Sequence, residues 1–398
     1  MKREKRSRIM VSCGRGAFSV LSEEIRMLGL PVRAEFAAGV MTEGAFEDAL
    51  SLNLRLRTGQ RVYFLINEFT ARDPQAVYRG VSAVPWEDYL HEDGYFSVTS
   101  HTDSPSVKDS RYMNLKAKDA VADRMRQVRG RRPDSGPERD RAVIHIHWKE
   151  DACSVYLDTS GDPLSKRGYR RFPVKAPMQE ALAAALLRSA GWNGEGNLVN
   201  PMCGSGTLAI EAALMARDIA PGLLRENFAF MHLKVFDPAV WNKLREAASQ
   251  RVRKTVSGMI IATDMDQRAV DAARQNARFA GVDDAITFGV CEFQQTPVPQ
   301  GGGIVILNPE YGERMGEAQA LEKTYEAIGD FFKNNCQGYR GYIFTGNPAL
   351  AKKVGLRTKK RIQFFNGPIE CRLLEYELYE GTRKNSAVDK GERDDSTP

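Results

Sequence analysis

The segment NPMCGSGTLAIEAA, Asn200 to Ala213, joins a short apolar run to a helical pattern through Gly204 and Gly206. Glycines at such a junction let the backbone turn sharply and come close to a ligand. The helix start behind them, at Thr207, favours a negative group. The spacing is not the G-x-G-x-x-G of a dinucleotide loop, and no lysine follows as it would in a P-loop. An Asn-x-x-x-Gly-x-Gly loop, with Pro201 and Cys203 inside it, suits a ligand carrying a carboxylate and an amine. The methionine part of S-adenosylmethionine is such a ligand. Two further apolar runs end in matching chemistry. IIATDMD places Asp264 where a carboxylate can bind ribose hydroxyls and Met265 where it can pack on adenine. CEF places Glu292 near an adenine amino group and Phe293 at its face. Singly, each has a plainer role: Asp264 or Asp266 as a helix N-cap, Phe293 as core. As an ordered series they point to a nucleoside cofactor.

The run Ile304-Val305-Ile306-Leu307 then stops at Asn308-Pro309-Glu310-Tyr311. The amine of a flat base is a poor nucleophile, because its lone pair is delocalised into the ring. A catalyst must hold the amino hydrogens with acceptors that turn the nitrogen toward the methyl donor. The Asn308 side-chain carbonyl and the Pro309 backbone carbonyl are two such acceptors, and Tyr311 can stack on a base drawn out of its own stack. An Asn-Pro turn is the plain alternative. It does not explain why the motif ends an apolar run downstream of a complete cofactor series.

A frame must bring these ends to one crevice. From about Ser165 onward, runs and helical patterns alternate: helix 177–190, the strand before Asn200, helix 207–217, a helical insertion at 238–254, then four more strand signals separated by helices. That order implies a doubly wound parallel sheet, closed by an antiparallel hairpin through RIQFF and CRLLEYELYE. Before it, 8–57 reads strand, helix, strand, helix. A strand at 61–69, a helix at 73–84, a strand at 95–100, a basic helix at 109–129 and two closing strands follow. That half is α+β in character. The division expected is a ferredoxin-like part over 1–58, an RNA-binding part over 59–164, the α/β domain over 165–382 and a disordered polar tail over 383–398.

With 398 residues there is room for two or three domains. No apolar run reaches membrane-span length, and no signal peptide precedes the first strand. The 6 cysteines are scattered without C-x-x-C or Cys/His pairing, so neither a zinc site nor a disulfide frame is expected. A cytoplasmic protein with reduced thiols is the plain reading. Net charge is only +6, but it is clustered. Lys108 to Arg132 includes Arg111, Lys116, Lys118, Arg124, Arg126, Arg129 and Arg131. Lys166, Arg167, Arg170, Arg171 and Lys175 form a second group, and Lys352 to Arg361 a third. Together they suit phosphate contacts, with RNA as the expected partner.

Taken together, LRTGQRVYFLI, LKAKDAVADRMR, the RRP near Arg132, YLDTSGDPLSKRGYRRFPVKAPMQEALAAALL, NPMCGSGTLAIEAALMARDIAPG and NPEYGERMG resemble the THUMP-domain class I RNA methyltransferases, from about Arg8 to Glu380. The likeness is greatest to the enzymes that make N2-methylguanosine in 23S rRNA. It implies a ferredoxin-like piece and an RNA-binding THUMP fold ahead of a Rossmann-like methyltransferase domain. It carries S-adenosyl-L-methionine contacts onto Asn200, Pro201, Cys203, Gly204, Gly206, Thr207, Asp264 and Glu292. It carries the base-binding role onto Asn308, Pro309 and Tyr311. Arg167 and Arg170 match a basic turn before the catalytic domain, while Arg126, Arg129 and Arg131 lie on the THUMP helix.

Two departures stand out. Where the family has a second proline, this sequence has Glu310. It is a tolerated change, or an acceptor for the N1 and N2 hydrogens of guanine, or a group that repels the substrate. Some fused relatives also carry a second methyltransferase domain, and a second activity is not expected here. The competing readings are a tRNA guanine methyltransferase, an adenine-N6 methyltransferase, and an inactive ribosome-assembly factor.

Overall fold

The computed structural model describes residues 6–103, 109–174, 178–312 and 318–379; the expected tail, Lys108, Lys175 and the start of the helix expected from Pro177 lie outside them. The first half runs β1 (Ser7–Cys13), α1 (Phe18–Met27), β2 (Val32–Phe36), β3 (Gly39–Gly44), α2 (Phe46–Arg55), β4 (Gly59–Thr70), α3 (Pro74–Ser82), β5 (Tyr95–Asp103), α4 (Ser110–Arg129), β6 (Asp134–Ser135), β7 (Ala142–Lys149) and β8 (Ala152–Asp158). Its strands make one sheet in the order β2-β3-β1-β4-β8-β7-β5-β6. The single strand expected between the first two helices is instead a hairpin, because Ala37 and Ala38 turn the chain and return β3 against β1. Alternation then sorts the side chains. Ile9, Val11, Val62, Phe64, Ile144, Ile146, Val155 and Leu157 share one face and are fully buried there. The opposite face carries Tyr63, Tyr156, His145, His147 and His101, with the His145 ring 4.6 Å from Tyr63 and tilted 33° to it.

The second half runs α5 (Glu180–Ser189), β9 (Asn197–Pro201), α6 (Thr207–Ala216), α7 (Pro238–Gln250), β10 (Ile260–Asp264), α8 (Gln267–Ala280), β11 (Ile286–Val290), β12 (Gly303–Leu307), α9 (Ala318–Asn335), β13 (Tyr339–Thr345), α10 (Pro348–Lys353), β14 (Lys360–Asn366) and β15 (Ile369–Glu377). Strand order is β11-β10-β9-β12-β13-β15-β14, parallel as far as β13, with β15 antiparallel as the hairpin expectation required. The chain winds from β9 outward through β10 to β11, then returns to β12 on the other side of β9. Strand order therefore reverses between β9 and β12, where an open α/β sheet leaves a crevice at its carboxyl edge.

The two halves are in close contact. A side chain at Gly16 would place its Cβ 2.5 Å from the Gln363 carbonyl of β14, and its φ of +85° is a second reason for glycine there. The Arg15 guanidinium lies 4.1 Å over the Phe365 ring.

Candidate active site

The crevice is built from the ends of β9, β10, β11 and β12. After Pro201 the chain takes left-handed backbone at Met202 (φ 54°), Gly204 (φ 55°) and Gly206 (φ 81°) before α6 begins at Thr207. Successive turns of this kind aim backbone N–H groups into a shared concavity that suits an anion. Gly206 is needed twice over, since a Cβ there would also sit 2.9 Å from Ala273 on α8. The loop is braced from β10: Cys203 N–H donates to the Thr263 carbonyl at 2.9 Å, and Gly204 N–H to Asp264 Oδ2 at 2.9 Å. Asp264 Oδ1 accepts from Asp266 N–H at 3.0 Å. Two of the carboxylate's four acceptor sites are thus used to fix it, and two are left for hydroxyl donors. Asp266 is the N-cap of α8, accepting from Arg268 N–H. Burial, and then the Asp264 charge, push the Cys203 thiol up, so it is not a nucleophile.

Asn200 links this loop to the next strand. It is 1% exposed, and its Nδ2 donates to the Ile306 carbonyl of β12 at 2.9 Å. That bond fixes the amide orientation and leaves Oδ1 buried with no partner among the described residues. A buried unpaired acceptor beside an anion-binding loop fits an amine and a carboxylate on one ligand. The methionine end of S-adenosylmethionine is such a ligand; the Gly204 and Gly206 N–H groups are themselves taken up by Asp264 and the Cys203 carbonyl, so the two glycines shape the loop rather than donate from it. Two residues past Ile306, Asn308 Oδ1 is likewise buried and unpaired. The two orphaned acceptors therefore lie at the ends of adjacent strands, on either side of the switch point.

The rest of the motif is held from the far side. Pro309 is buried and Glu310 exposed. The Tyr311 hydroxyl accepts from Asn366 Nδ2 at 2.9 Å, and its ring stands edge-on to Phe344 at 6.4 Å. Burial pushes its phenol up to about 12, so it stays neutral. Gly346 permits this placement: a Cβ there would lie 3.0 Å from Tyr311 ring carbons. Neither Gly346 nor Asn366 stood out in the sequence. The first follows an ordinary apolar run, and Asn366-Gly367 reads simply as a hairpin turn.

At the other end of the crevice, Met265 is 69% exposed and Glu292 is exposed, both available to a bound nucleoside. Phe293 is a correction. Its ring is packed in the core at 85° to Phe331 and only 8% exposed, which leaves little of it for adenine. Two of the expected RNA contacts are corrected as well. Arg167 is 0% exposed, donates to the Leu164 and Arg57 carbonyls, and lies 3.5 Å from the buried carboxylate of Glu211. Arg170 donates to the Met178 carbonyl and pairs with Glu180 at 3.2 Å. Both tie the turn to the protein's interior, away from phosphate. Arg126, Arg129 and Arg131 are exposed, with acidic neighbours 3.5 Å away at Asp123 for Arg126 and Glu92 for Arg129. Among the described residues no His, Cys, Asp or Glu group is arranged to hold a metal, and no helix is long and apolar enough to cross a membrane.

A family profile described as an RMKL-like methyltransferase domain matches residues 167–375. The chain belongs to the RMKL-like methyltransferase family. Ahead of that domain, an RlmL ferredoxin-like domain profile matches residues 8–63 and a THUMP domain profile 71–158. Among relatives, the "Ribosomal RNA large subunit methyltransferase K/L" of Syntrophotalea carbinolica is 40% identical over 376 residues, covering 92% of this chain and 53% of that protein. This RMKL-like chain thus spans about half the length of the curated relatives it matches. The crystal structure of SMU.472 complexed with SAH is 29% identical, covers 95% of this chain and 100% of that one, and superposes at a TM-score of 0.85. A structure from Listeria monocytogenes described as a predicted N6-adenine-specific DNA methylase is 28% identical, covers 94% of this chain and 97% of that one, with a TM-score of 0.84.

Proposed function

We propose that this RMKL-like methyltransferase transfers a methyl group from S-adenosylmethionine to the N2 amine of a guanine in large-subunit ribosomal RNA. The observation that carries the reading is the buried, unpaired Oδ1 of Asn308, one strand from the equally unpaired Oδ1 of Asn200. The cofactor supplies a methyl group on a positively charged sulfur. The chain's own residues then do the orienting. The Ser205 and Thr207 amides, placed by the turns at Gly204 and Gly206, hold the carboxylate, Asn200 Oδ1 the amine, and Asp264 the ribose. Asn308 Oδ1 and the Pro309 carbonyl accept the two amino hydrogens, which turns the nitrogen lone pair toward the methyl. Tyr311 stacks on the ring. The nitrogen becomes cationic as it gains the methyl and then loses a proton to water, so no strong base is required.

Glu310 favours guanine over adenine. Guanine presents N1–H beside the amine that Asn308 and Pro309 hold, and that N1–H suits a carboxylate. Adenine presents a bare N1, which a carboxylate repels. The names of the K/L relatives support ribosomal RNA as the substrate. The name of the Listeria neighbour favours adenine instead, and the test must separate the two. Purified protein, labelled cofactor and unmodified rRNA, tRNA or DNA are combined, and the products are resolved as nucleosides by mass spectrometry. N2-methylguanosine from rRNA is the expected product. N6-methyladenine sinks the base assignment, and cofactor binding without any product sinks the enzyme reading.

A further inference from the structure

Just ahead of the cofactor loop, Arg171 and Phe172 pass alongside α8, and one buried side chain fixes them there. Asn276 is 0% exposed. Its Oδ1 accepts from the N–H groups of Arg171 and Phe172, both at 3.0 Å. Its Nδ2 donates to the Phe172 carbonyl at 3.0 Å and to the Ser205 carbonyl at 3.2 Å. A single amide therefore uses both its ends to pin this short stretch of backbone to α8 and to the cofactor loop. The side chains of that stretch stay outside. Phe172 is 42% exposed and Phe279 of α8 is 43% exposed, with their rings nearly parallel (23°) and 6.2 Å apart. The Arg171 guanidinium lies 4.1 Å over the centre of Phe279. Five residues earlier on α8, Arg274 lies 5.8 Å over the Phe288 ring. Among the described residues, neither guanidinium is paired with a carboxylate.

Two phenyl rings left stacked in water, capped by an unpaired cation, are not explained by core packing. An apolar partner would leave two guanidiniums desolvated without counter-charge, which is costly. An unpaired nucleobase meets both requirements: its face stacks on the rings and its phosphate answers the guanidiniums. We propose that Arg171, Phe172 and Phe279 form a stacking ledge for an unpaired base of the substrate RNA. This ledge is distinct from the pocket that receives the methylated base, and the proposal rests on the RNA-methyltransferase reading above. Because Asn276 also holds Ser205, RNA seated on the ledge abuts the support of the cofactor loop.

The test measures affinity for an unmodified rRNA fragment that the wild type methylates, alongside S-adenosylhomocysteine affinity by calorimetry. Phe172→Ala with Phe279→Ala should weaken RNA binding roughly five- to 150-fold, the range for losing one base–aromatic stack. Phe279→Trp should preserve binding. Arg171→Gln should lower the slope of log affinity against log salt by about 0.7. Cofactor-product affinity should be unchanged in each. If the double variant fails to fold, Phe279→Ala and Arg171→Gln alone carry the comparison. A wild type that methylates the fragment, with variants that bind it equally well, overturns the ledge and leaves the enzyme reading intact. A wild type that neither binds nor methylates RNA overturns both. A wild-type dimer that Phe279→Arg splits without loss of RNA affinity shows the rings to be a self-association surface and overturns the ledge.

Discussion

Replacing Arg167 with Met should unfold the protein more readily and leave RNA contacts alone. Arg167 and Glu211 are both fully buried, 3.5 Å apart, and Tyr169 donates a further hydrogen bond to Glu211 at 3.1 Å. Arg167 Nε and Glu211 Oε2 make no hydrogen bond of their own, so the pair is held by charge more than by hydrogen bonding. Removing either partner takes from the other its one ion-pair partner among the described residues, which costs about 3–5 kcal/mol. Against the ~5–15 kcal/mol that stabilises a typical domain, that is a fifth or more of the whole. Arg167→Met and Glu211→Leu should each lower the urea midpoint strongly. The double variant should lose less than the sum, because both buried charges go together, although the Leu164 and Arg57 carbonyls and the Tyr169 hydroxyl then lack their partners. A phosphate-binding arginine would behave otherwise: stability would hold, and the salt slope for RNA would fall by about 0.7–0.9. An Arg167→Met protein with an unaltered midpoint and a reduced salt slope refutes the buried-pair account.

Acid stability should report on the histidine-bearing face of the first sheet. Burial first, then the neighbouring His147 and Arg61, push His145 from 6.5 down to about 3. The unfolded chain therefore takes up a proton between those values that the folded chain refuses. Stability from this group is fully present above 6.5 and is lost as pH falls toward 3; thermal melts should show that loss, and His145→Gln should flatten it. Gly206→Ala, strained by its φ of +81° and by Ala273 at 2.9 Å, should cost ~1–3 kcal/mol locally and weaken S-adenosylhomocysteine binding in calorimetry. Gly346→Ala meets the Tyr311 ring at 3.0 Å and should lower kcat/KM on rRNA by about tenfold while the cofactor affinity holds. Asn308→Ala should abolish methyl transfer from labelled cofactor, since no other side chain of the motif can orient the amine; an active variant overturns the assignment of this motif.

The strand ends were legible because each carries polar residues directly after four or five apolar ones, as at Asp264 and Asn308, and nothing in a plain core demands that. Asn200 was legible as a loop residue, but its role as a tie from β9 to β12 needed the strand order. The basic turn misled for a physical reason. A run such as KRGYRR looks solvated in sequence, and only the fold shows Glu211 and Glu180, many residues away, waiting inside for two of its arginines. Phe293 followed the same logic in reverse: an aromatic beside a cofactor acid is indistinguishable in sequence from one that turns inward against Phe331. Asn276 gave no signal at all, being one polar residue in a helix rich in them, and its importance lies wholly in what its two ends touch.

The strand β4 has a consequence for anyone wishing to take the protein apart. It begins at Gly59 and ends at Thr70, while the two family profiles of the first half stop at residue 63 and resume at 71. One edge of this strand is paired with β1 and the other with β8. The gap between the two profiles thus falls inside a strand whose first half pairs with β1 and whose second half pairs with β8, so bending there would break sheet pairing. A fragment cut at that gap would bare a long row of unpaired amides and carbonyls and should aggregate. Two segments matched by separate profiles share, mechanically, a single sheet.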